Sequence, residues 1–278
     1  MKSVRVKLMG GLGNQLFQYA TARALAARHS SELILDTSNY LPGGLRRYEL
    51  AVYPLSARTK SSYLKNIMQK AFRKTPDLLY REPHFYFDAG LQKQKLPLAI
   101  EGYWQSEKYF LDIASALRNE IKPEVPLSDE NLRIAEKIEK TNSISLHVRR
   151  GDYVTNAHTN AYHGTCSLDY YRRAIDFVQQ REKNLHFFIF SDDPEWTKEN
   201  LALDHDTTFV NANTASQGYF DLELMRRCKH HIIANSSFSW WGAWLNPFAD
   251  KIVVAPQAWF ANNDNDTRDL IPESWVRL

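Results

Sequence analysis

The second half of the chain alternates between short apolar segments and longer segments with helical periodicity. The apolar segments predict strands at residues 143–148, 186–191, 207–211, 231–234 and 251–255, and the helices between them should begin near Ser167, Pro194, Gly218 and Ser239. A helix between successive strands returns the chain to the same end of the sheet, so the strands run parallel. This alternation predicts a doubly wound parallel α/β sheet, in which ligands bind at the carboxyl ends of the strands.

The first half begins with a similar βαβ pattern and then becomes irregular. The pattern predicts strands at residues 4–9, 33–35 and 98–101, and helices after Gln15, at 59–72 and from Ser106 through Leu117. Pro123 and Pro126 interrupt the chain before a helix that is expected at residues 128–139. We therefore expect two α/β domains, residues 1–125 and residues 126–278.

Composition limits the class of protein. The chain has 278 residues and 44% hydrophobic content, and no apolar run approaches the roughly 20 residues of a membrane span. A net charge of +3 is too small to indicate a nucleic-acid-binding protein. Cys166 and Cys228 lack the spacing of metal ligands. Because the N-terminus has no signal-peptide pattern, we expect a cytoplasmic protein whose membrane contact is limited to peripheral contact at the inner face of the cell membrane.

The stretch Ser143–Tyr153 places two arginines where a predicted strand ends. Strand alternation puts Arg149 on the same side as His147 and turns Arg150 to the opposite side. Gly151 then breaks the strand. A guanidinium group offers a planar fork of donors to the oxygens of a phosphate or carboxylate. The stretch therefore predicts an anion site, and an Arg–Asp salt bridge that closes a turn is the alternative interpretation.

A glycine-rich turn lies between the first predicted strand and its helix. Gly11 and Gly13 allow backbone N–H groups to approach a ligand closely, with the side chain of Asn14 beside them. Asp36 ends the next predicted strand, as in a dinucleotide-binding fold, but Leu16 stands where that fingerprint requires a third glycine. The turn therefore favours a ligand-binding loop over a nicotinamide or flavin site, and a simple tight turn is the alternative.

Polar residues also follow other strands of the second half. Asp193 can cap the next helix, whereas Asp192 has no such role and lies at the same sheet edge as the arginines. Asp221 falls in the first turn of a predicted helix, where the dipole favours a carboxylate that could also accept N–H groups from a nucleobase. Ser236 and Ser237 precede another helix, in a position typical of phosphate binding or of a helix cap.

Four motifs in this order resemble a known family. They are GGLGNQLFQYA at the N-terminus, HVRRGDY at 147–153, FSDDPEW at 190–196 and IIANSSFSWWGAWL at 232–245. The chain resembles the α-1,2-fucosyltransferases of glycosyltransferase family 11 over nearly its whole length. Enzymes that add α-1,6-linked fucose to glycans or O-fucose to proteins are similar in the arginine motif, but the full set matches family 11 best.

The resemblance implies a fold and a reaction. The fold would be of the GT-B type, with two Rossmann-like domains facing a cleft and a doubly wound parallel sheet in the C-terminal one. The donor would be GDP-fucose, and the acceptor would be the 2-hydroxyl of a galactose-terminated oligosaccharide. The reaction would invert the anomeric carbon without a metal or other cofactor. Such a bacterial enzyme would act in the biosynthesis of an O-antigen or another oligosaccharide.

The resemblance also implies roles for the motif residues. Arg149 would hold the β-phosphate of GDP with support from Arg150, and His147 and Asp221 would lie against guanine and ribose. Asn14 would face the donor across the cleft, near the reacting centre. The rest of the predicted donor site comprises Gly11, Gly13, Asp192, Ser236 and Ser237. Fixed cations and N–H donors of this kind stabilise the charge that develops on departing GDP.

The general base is not assigned by the motifs. The α-1,6 relatives carry a glutamate at the position that Ala157 occupies in this chain. Asp152, His158 and His163 are the local candidates to accept the proton of the acceptor hydroxyl, and Asp152 joins Arg149 and Asn14 as a predicted catalytic residue.

Two Asp-x-Asp triplets invite a metal-binding interpretation. The triplets 204–206 and 264–266 resemble metal sites of other glycosyltransferases, but they fall in predicted surface loops away from the strand ends. We therefore expect no metal site. Three functional alternatives stay open: a fucosyltransferase that modifies protein or forms an α-1,6 linkage, a nucleotide-sugar-binding module without turnover, and a dinucleotide-dependent dehydrogenase.

Overall fold

The computed structural model describes residues 2–40, 43–44, 46–60, 78–151, 162, 164–201, 203–261 and 264–278. The chain divides into two compact units. Unit 1 comprises Met1–Lys122 and Asp266–Leu270, and unit 2 comprises Pro123–Asn265 and Ile271–Leu278. The sequence pattern puts the change of unit between residues 125 and 126, and nothing in that pattern signals the return of a short C-terminal segment to unit 1.

Unit 1 is built on one parallel sheet. Its described strands are β1 (Ser3–Lys7), β2 (Glu32–Asp36), β3 (Arg58–Lys60), β4 (Leu78–Arg81) and β5 (Leu98–Glu101). Their order is β3-β2-β1-β5-β4, and all pairs run parallel. The described helices are α1 (Leu12–Arg28) and α2 (Ala114–Glu120), with short 3-10 helices at Leu50–Val52, Leu91–Lys93, Glu107–Tyr109 and Leu111–Ile113.

Helix α1 lies in the interior of unit 1. Most of its first fifteen side chains are buried, and small residues such as Ala20 and Ala24 allow close packing against the sheet. The central strand β1 buries Val4 and Val6 completely. Because a parallel sheet places its strand ends at one edge, the glycine-rich turn between β1 and α1 lies at the carboxyl edge of this sheet.

Unit 2 is built on a second parallel sheet. Its described strands are β6 (Asn142–Val148), β7 (Leu185–Ser191), β8 (Asp206–Val210), β9 (His230–Ile232), β10 (Val253–Ala255) and β11 (Val276–Arg277). Their order is β11-β10-β9-β6-β7-β8. The described helices are α3 (Asp129–Lys140), α4 (Leu168–Gln179), α5 (Pro194–Asn200), α6 (Gly218–Arg227) and α7 (Ser237–Leu245), with a 3-10 helix at Ala215–Gln217.

Strand β7 shows why this sheet is covered on both faces. Phe187 and Ile189 pack in one core cluster with residues of α4, such as Tyr171. Phe188 and Phe190 point to the other face and pack in a second cluster with residues of α3 and α6. The strand is therefore apolar at four consecutive positions, from Phe187 to Phe190, rather than at alternate ones, as expected for a doubly wound parallel sheet.

The predicted elements of the second half agree with these bounds to within about two residues, but β11 was not predicted, and the first half contains further errors. The helix predicted at 59–72 is wrong at Thr59 and Lys60, which lie in β3, and residues 61–72 lie outside the described residues. The helix predicted from Ser106 through Leu117 begins instead as two 3-10 helices before α2. Ser106 does cap the first of them, because its side chain accepts the N–H of Lys108.

Candidate functional site

Arg149 and Asp192 form an ion pair between the ends of two neighbouring strands. The Nη1 atom of Arg149 lies 2.9 Å from Oδ2 of Asp192, and the side chains are 26% and 25% exposed. The other carboxylate oxygen, Oδ1, accepts the N–H of Arg150 at 2.8 Å. A Cβ atom at Gly151 would lie only 2.5 Å from Asp192 Oδ2, so a larger residue there would displace this carboxylate. Asp192 therefore fixes Arg149 at the carboxyl edge of the sheet.

Arg150 points to the other side of β6, as strand alternation predicts. Its guanidinium carbon lies 3.5 Å from the centroid of the Trp196 ring. Its Nε lies 3.4 Å from Oδ2 of Asp193, which also caps α5 by accepting the N–H of Trp196. The predicted cap is therefore confirmed, and stacking on an aromatic ring fixes the guanidinium of Arg150.

His147 is a buried histidine that is held neutral. Burial lowers the pKa of its imidazole to about 3, and the charge of Arg149 acts in the same direction. Its Nδ1 is buried without a hydrogen-bond partner among the described residues. A neutral imidazole carries one donor and one acceptor nitrogen, and leaving a buried polar atom unpaired is costly. His147 is therefore a neutral imidazole with one buried ring nitrogen that has no hydrogen-bond partner among the described residues.

Asp221 lies in the first turn of α6, as predicted. Burial raises the pKa of its carboxyl group to about 6, although a hydrogen bond from Asn213 acts in the opposite direction. That bond joins Asn213 Nδ2 to Asp221 Oδ1 at 2.7 Å. Asp221 is therefore a largely ionised carboxylate at pH 7, held in a partly desolvated environment.

Phe238 connects the region of His147 to the start of α6. The rings of His147 and Phe238 are 5.8 Å apart, and a Cβ atom at Gly218 would lie 3.6 Å from Phe238 Cε2. Gly218 is the first residue of the helix that carries Asp221. Phe238 therefore lies next to His147 and next to the start of α6, which carries Asp221, and these are the two residues predicted to contact the nucleoside. The sequence motifs did not indicate this position of Phe238.

The serine-rich turn after β9 begins α7. Ser236 is the N-cap of this helix, and its hydroxyl accepts the N–H of Phe238 at 3.3 Å. Ser237 is the first residue of the helix. Asn235 connects the turn to two other segments, because its Nδ2 donates to the carbonyl oxygens of Gly164 and Trp259, each at 3.2 Å. The turn thus follows β9, while the arginines follow the adjacent strand β6.

The glycine-rich turn of unit 1 depends on a different glycine from those predicted. Gly10 has φ +77°, and a Cβ atom there would lie 2.6 Å from Asn14 Nδ2. Gly11 precedes α1 as its N-cap, and Gly13 is buried inside the helix. The Oδ1 of Asn14 accepts a hydrogen bond from Gln105 Nε2 at 2.8 Å, which orients the asparagine at this end of the sheet.

Two glutamates support the carboxyl edge of unit 1. Glu49 accepts the backbone N–H of Leu12 at the start of α1, and burial raises the pKa of its carboxyl group. Burial raises the pKa of Glu82 to about 7. Glu82 accepts the backbone N–H groups of Tyr103 at 2.6 Å and Trp104 at 2.9 Å. Neither glutamate carries a sequence signal, because the groups that it binds are distant along the chain.

Several predictions fall outside the described residues. Asp152, His158 and His163 belong to this group, as does Ala157. Where the structure does describe the chain, it holds no cluster of three or more His, Cys, Asp or Glu side chains that could bind a metal ion. None of the described helices combines the length and hydropathy that a membrane span requires.

The comparisons with known proteins agree with this architecture. The fold is of the GT-B type. A similar fold occurs in the structure of an Arabidopsis thaliana FUT1 mutant in complex with GDP, with a TM-score of 0.50 and 12% sequence identity. The structural match covers 99% of this chain and 76% of that one. The sequence profile of glycosyl transferase family 11 matches residues 2–278. The chain therefore belongs to glycosyl transferase family 11.

Two relatives illustrate the range of the family. An alpha-1,2-colitosyltransferase of Escherichia coli is 38% identical over 292 residues, covering 100% of this chain and 99% of the relative. A galactoside 2-alpha-L-fucosyltransferase of Caenorhabditis elegans is 28% identical over 287 residues, covering 96% of this chain and 77% of the relative. Both names describe transfer of a sugar to a 2-position.

Proposed function

We propose that the protein is a galactoside α-1,2-fucosyltransferase of the cytoplasm. It transfers L-fucose from GDP-fucose to the 2-hydroxyl of a terminal galactosyl residue and inverts the anomeric configuration. Membership of family 11 along the whole chain and the names of the relatives support this proposal. The observation that carries it is the pairing of Arg149 with Asp192 beside the neutral imidazole of His147, whose Nδ1 has no hydrogen-bond partner among the described residues.

The donor half of the mechanism follows from this geometry. Departing GDP gains negative charge as the sugar becomes oxocarbenium-like, and a guanidinium already fixed by Asp192 stabilises that charge with little reorganisation. We propose that Arg149 binds the β-phosphate, that Arg150 adds positive charge nearby, and that Ser236 and Ser237 contact the diphosphate at the start of α7. No metal ion is then required in this proposal, and the chemistry rests on the side chains.

The nucleoside contacts follow from the charge states of two residues. Ionised Asp221 can accept both N–H groups on the Watson–Crick edge of guanine, which a neutral carboxyl group or an amide cannot do equally well. The neutral imidazole of His147 can form a hydrogen bond to the ribose or base without repelling nearby cations. We keep Asn14 as a proposed catalytic residue and Gly11 and Gly13 as proposed donor-binding residues, and Asp152 stays one of the candidates for the general base with His158 and His163.

A second donor is a specific alternative. The Escherichia coli relative is named for colitose, which differs from fucose in lacking the 3-hydroxyl group. A GDP-linked 3-deoxy sugar would place the same diphosphate and guanine against the same residues. Only contacts to the sugar can therefore distinguish the two donors.

The test is transfer from a defined donor to a defined acceptor. The protein is incubated with GDP-fucose or GDP-colitose and with β-galactosides, GDP release is followed, and the product linkage is determined by NMR. The proposal expects faster turnover with GDP-fucose and an α-linkage to the galactose 2-position. The proposal would be contradicted by a 6-linkage, by transfer only to protein, or by GDP-sugar binding without turnover. Faster turnover with GDP-colitose would show that colitose, rather than fucose, is the transferred sugar.

A further inference from the structure

A chain of hydrogen bonds leads from the start of α3 to Asp221. Asn131 Nδ2 donates to Ser128 Oγ at 3.0 Å and to Asn213 Oδ1 at 2.8 Å. Asn213 Nδ2 donates back to Asn131 Oδ1 at 3.0 Å and to Asp221 Oδ1 at 2.7 Å. The two asparagine amides thus form a reciprocal pair that ends on one carboxylate oxygen.

Every amide hydrogen of this pair is used. Each asparagine has two N–H donors, and the four bonds above account for all of them. Asn131 is 1% exposed, so it cannot exchange these bonds for water. The backbone N–H of Asn131 is also bound, because Ser128 Oγ accepts it as the cap of α3. The position of Asn213 is therefore set by a helix N-terminus rather than by its own loop.

The network binds only one oxygen of Asp221. Asn213 donates to Oδ1, and within the described part of the chain no hydrogen bond reaches Oδ2. A carboxylate with one oxygen held by a rigid neighbour and the other oxygen available has a fixed orientation. We propose that Asn213, held in place by Asn131, is a positioning residue that presents ionised Asp221 to the guanine ring of the donor. This inference rests on the proposed function.

The electrostatic surroundings make the effect of Asn213 measurable. Burial raises the pKa of Asp221 to about 6, and the hydrogen bond from Asn213 lowers it. On α6 itself, Glu223 pairs with Arg226 and Arg227. On α3, the first-turn residues 129 and 130 are exposed to solvent. The packed helix α7 and the 3-10 helix before α6 carry no titratable side chain.

Removal of the Asn213 amide should therefore raise the pKa of Asp221. A hydrogen bond to a charged group is typically worth about one pKa unit, so the pKa should move from about 6 to about 7. The ionised fraction would fall about twofold at pH 7 and about fivefold at pH 6, and donor affinity should fall in proportion. If Asn213 only linked its loop to α3, its substitution would lower thermal stability but would not change the pH midpoint of donor binding.

The experiment measures GDP-fucose affinity by calorimetry between pH 5 and pH 8. GDP-fucose is the suitable probe because its phosphates are diesterified and do not titrate in this range, unlike those of GDP. In the wild-type protein, affinity should fall as the pH decreases through about 6. In Asn213→Ala the midpoint should rise by about one pH unit, and in Asn131→Ala it should rise by less. Ser216→Ala, an exposed change in the same loop, is the matched control and should keep the wild-type midpoint.

The possible failures are distinguishable. If the wild-type protein does not bind GDP-fucose at any pH, the proposed function itself fails. If wild-type binding shows the midpoint near pH 6 but both asparagine variants keep that midpoint and affinity, the positioning role of Asn213 is refuted while the function stands. Melting temperatures identify a variant that fails to fold, and the other variant then decides the outcome.

Discussion

Replacement of Arg149 by lysine changes geometry while keeping the charge. In the structure a guanidinium nitrogen lies 2.9 Å from Asp192, which leaves the planar fork oriented at the end of β6. Lysine can keep one contact to Asp192 or reach a phosphate oxygen, but its single nitrogen cannot do both with the same geometry. The contacts to the leaving group strengthen as charge develops, so their loss should lower kcat more than it raises the KM for GDP-fucose.

The magnitude separates a catalytic role from a structural one. One lost transition-state donor typically costs about 10²- to 10³-fold in kcat, or about 2.7–4 kcal/mol. The side chains of the ion pair are only about one-quarter exposed, but lysine keeps a positive charge beside Asp192, so the substitution should cost only about 1 kcal/mol of stability. Arg149→Lys should therefore lower the melting temperature by only about 2–4 °C while it removes most of the activity.

The assay is initial-rate GDP release with GDP-fucose and a β-galactoside, together with thermal unfolding of the same preparations. Arg150→Lys is the matched control, because Arg150 lies on the opposite side of β6 and stacks on Trp196. Its kcat should change by less than that of Arg149→Lys. A folded Arg149→Lys protein with wild-type kcat would falsify the leaving-group role of this residue.

Three further predictions concern the same site. Gly151→Ala should lower kcat by about 10- to 100-fold, because its Cβ would displace the Asp192 carboxylate that orients Arg149; unchanged kinetics would contradict the role of that carboxylate. Asp221→Asn should weaken GDP-fucose binding by about tenfold or more at pH 7.5 without changing the acceptor KM, and equal affinity by calorimetry would oppose a contact to guanine. Activity should persist in excess EDTA, whereas loss that Mn²⁺ or Mg²⁺ restores would show a metal requirement.

Features that depend on neighbouring residues could be predicted from the sequence. Strand alternation placed Arg149 and Arg150 on opposite sides of β6, and the structure confirms this arrangement. The cap of α5 by Asp193 and the place of Asp221 in the first turn of α6 follow from local preferences in the same way. Helix and strand periods are local properties, so the elements of unit 2 follow the predicted order apart from the unpredicted edge strand β11.

Features that depend on distant contacts could not be predicted. Asn131 and Asn213 are 82 positions apart, and neither belongs to a motif, yet they set the environment of Asp221. The error at Thr59 has the same cause, because pairing of β3 with β2 overrides a local helical pattern. The secondary structure of such a short segment is ambiguous until the strand that it pairs with is known.

The central claim is that the end of β6 binds the diphosphate of the donor. A crystal structure of the protein with GDP tests this most directly. We expect β-phosphate oxygens within hydrogen-bond distance of the Arg149 guanidinium, and guanine against His147 with its N–H edge toward Asp221. A nucleotide bound elsewhere, with the ion pair of Arg149 and Asp192 unchanged and no contact to the guanidinium, would contradict it.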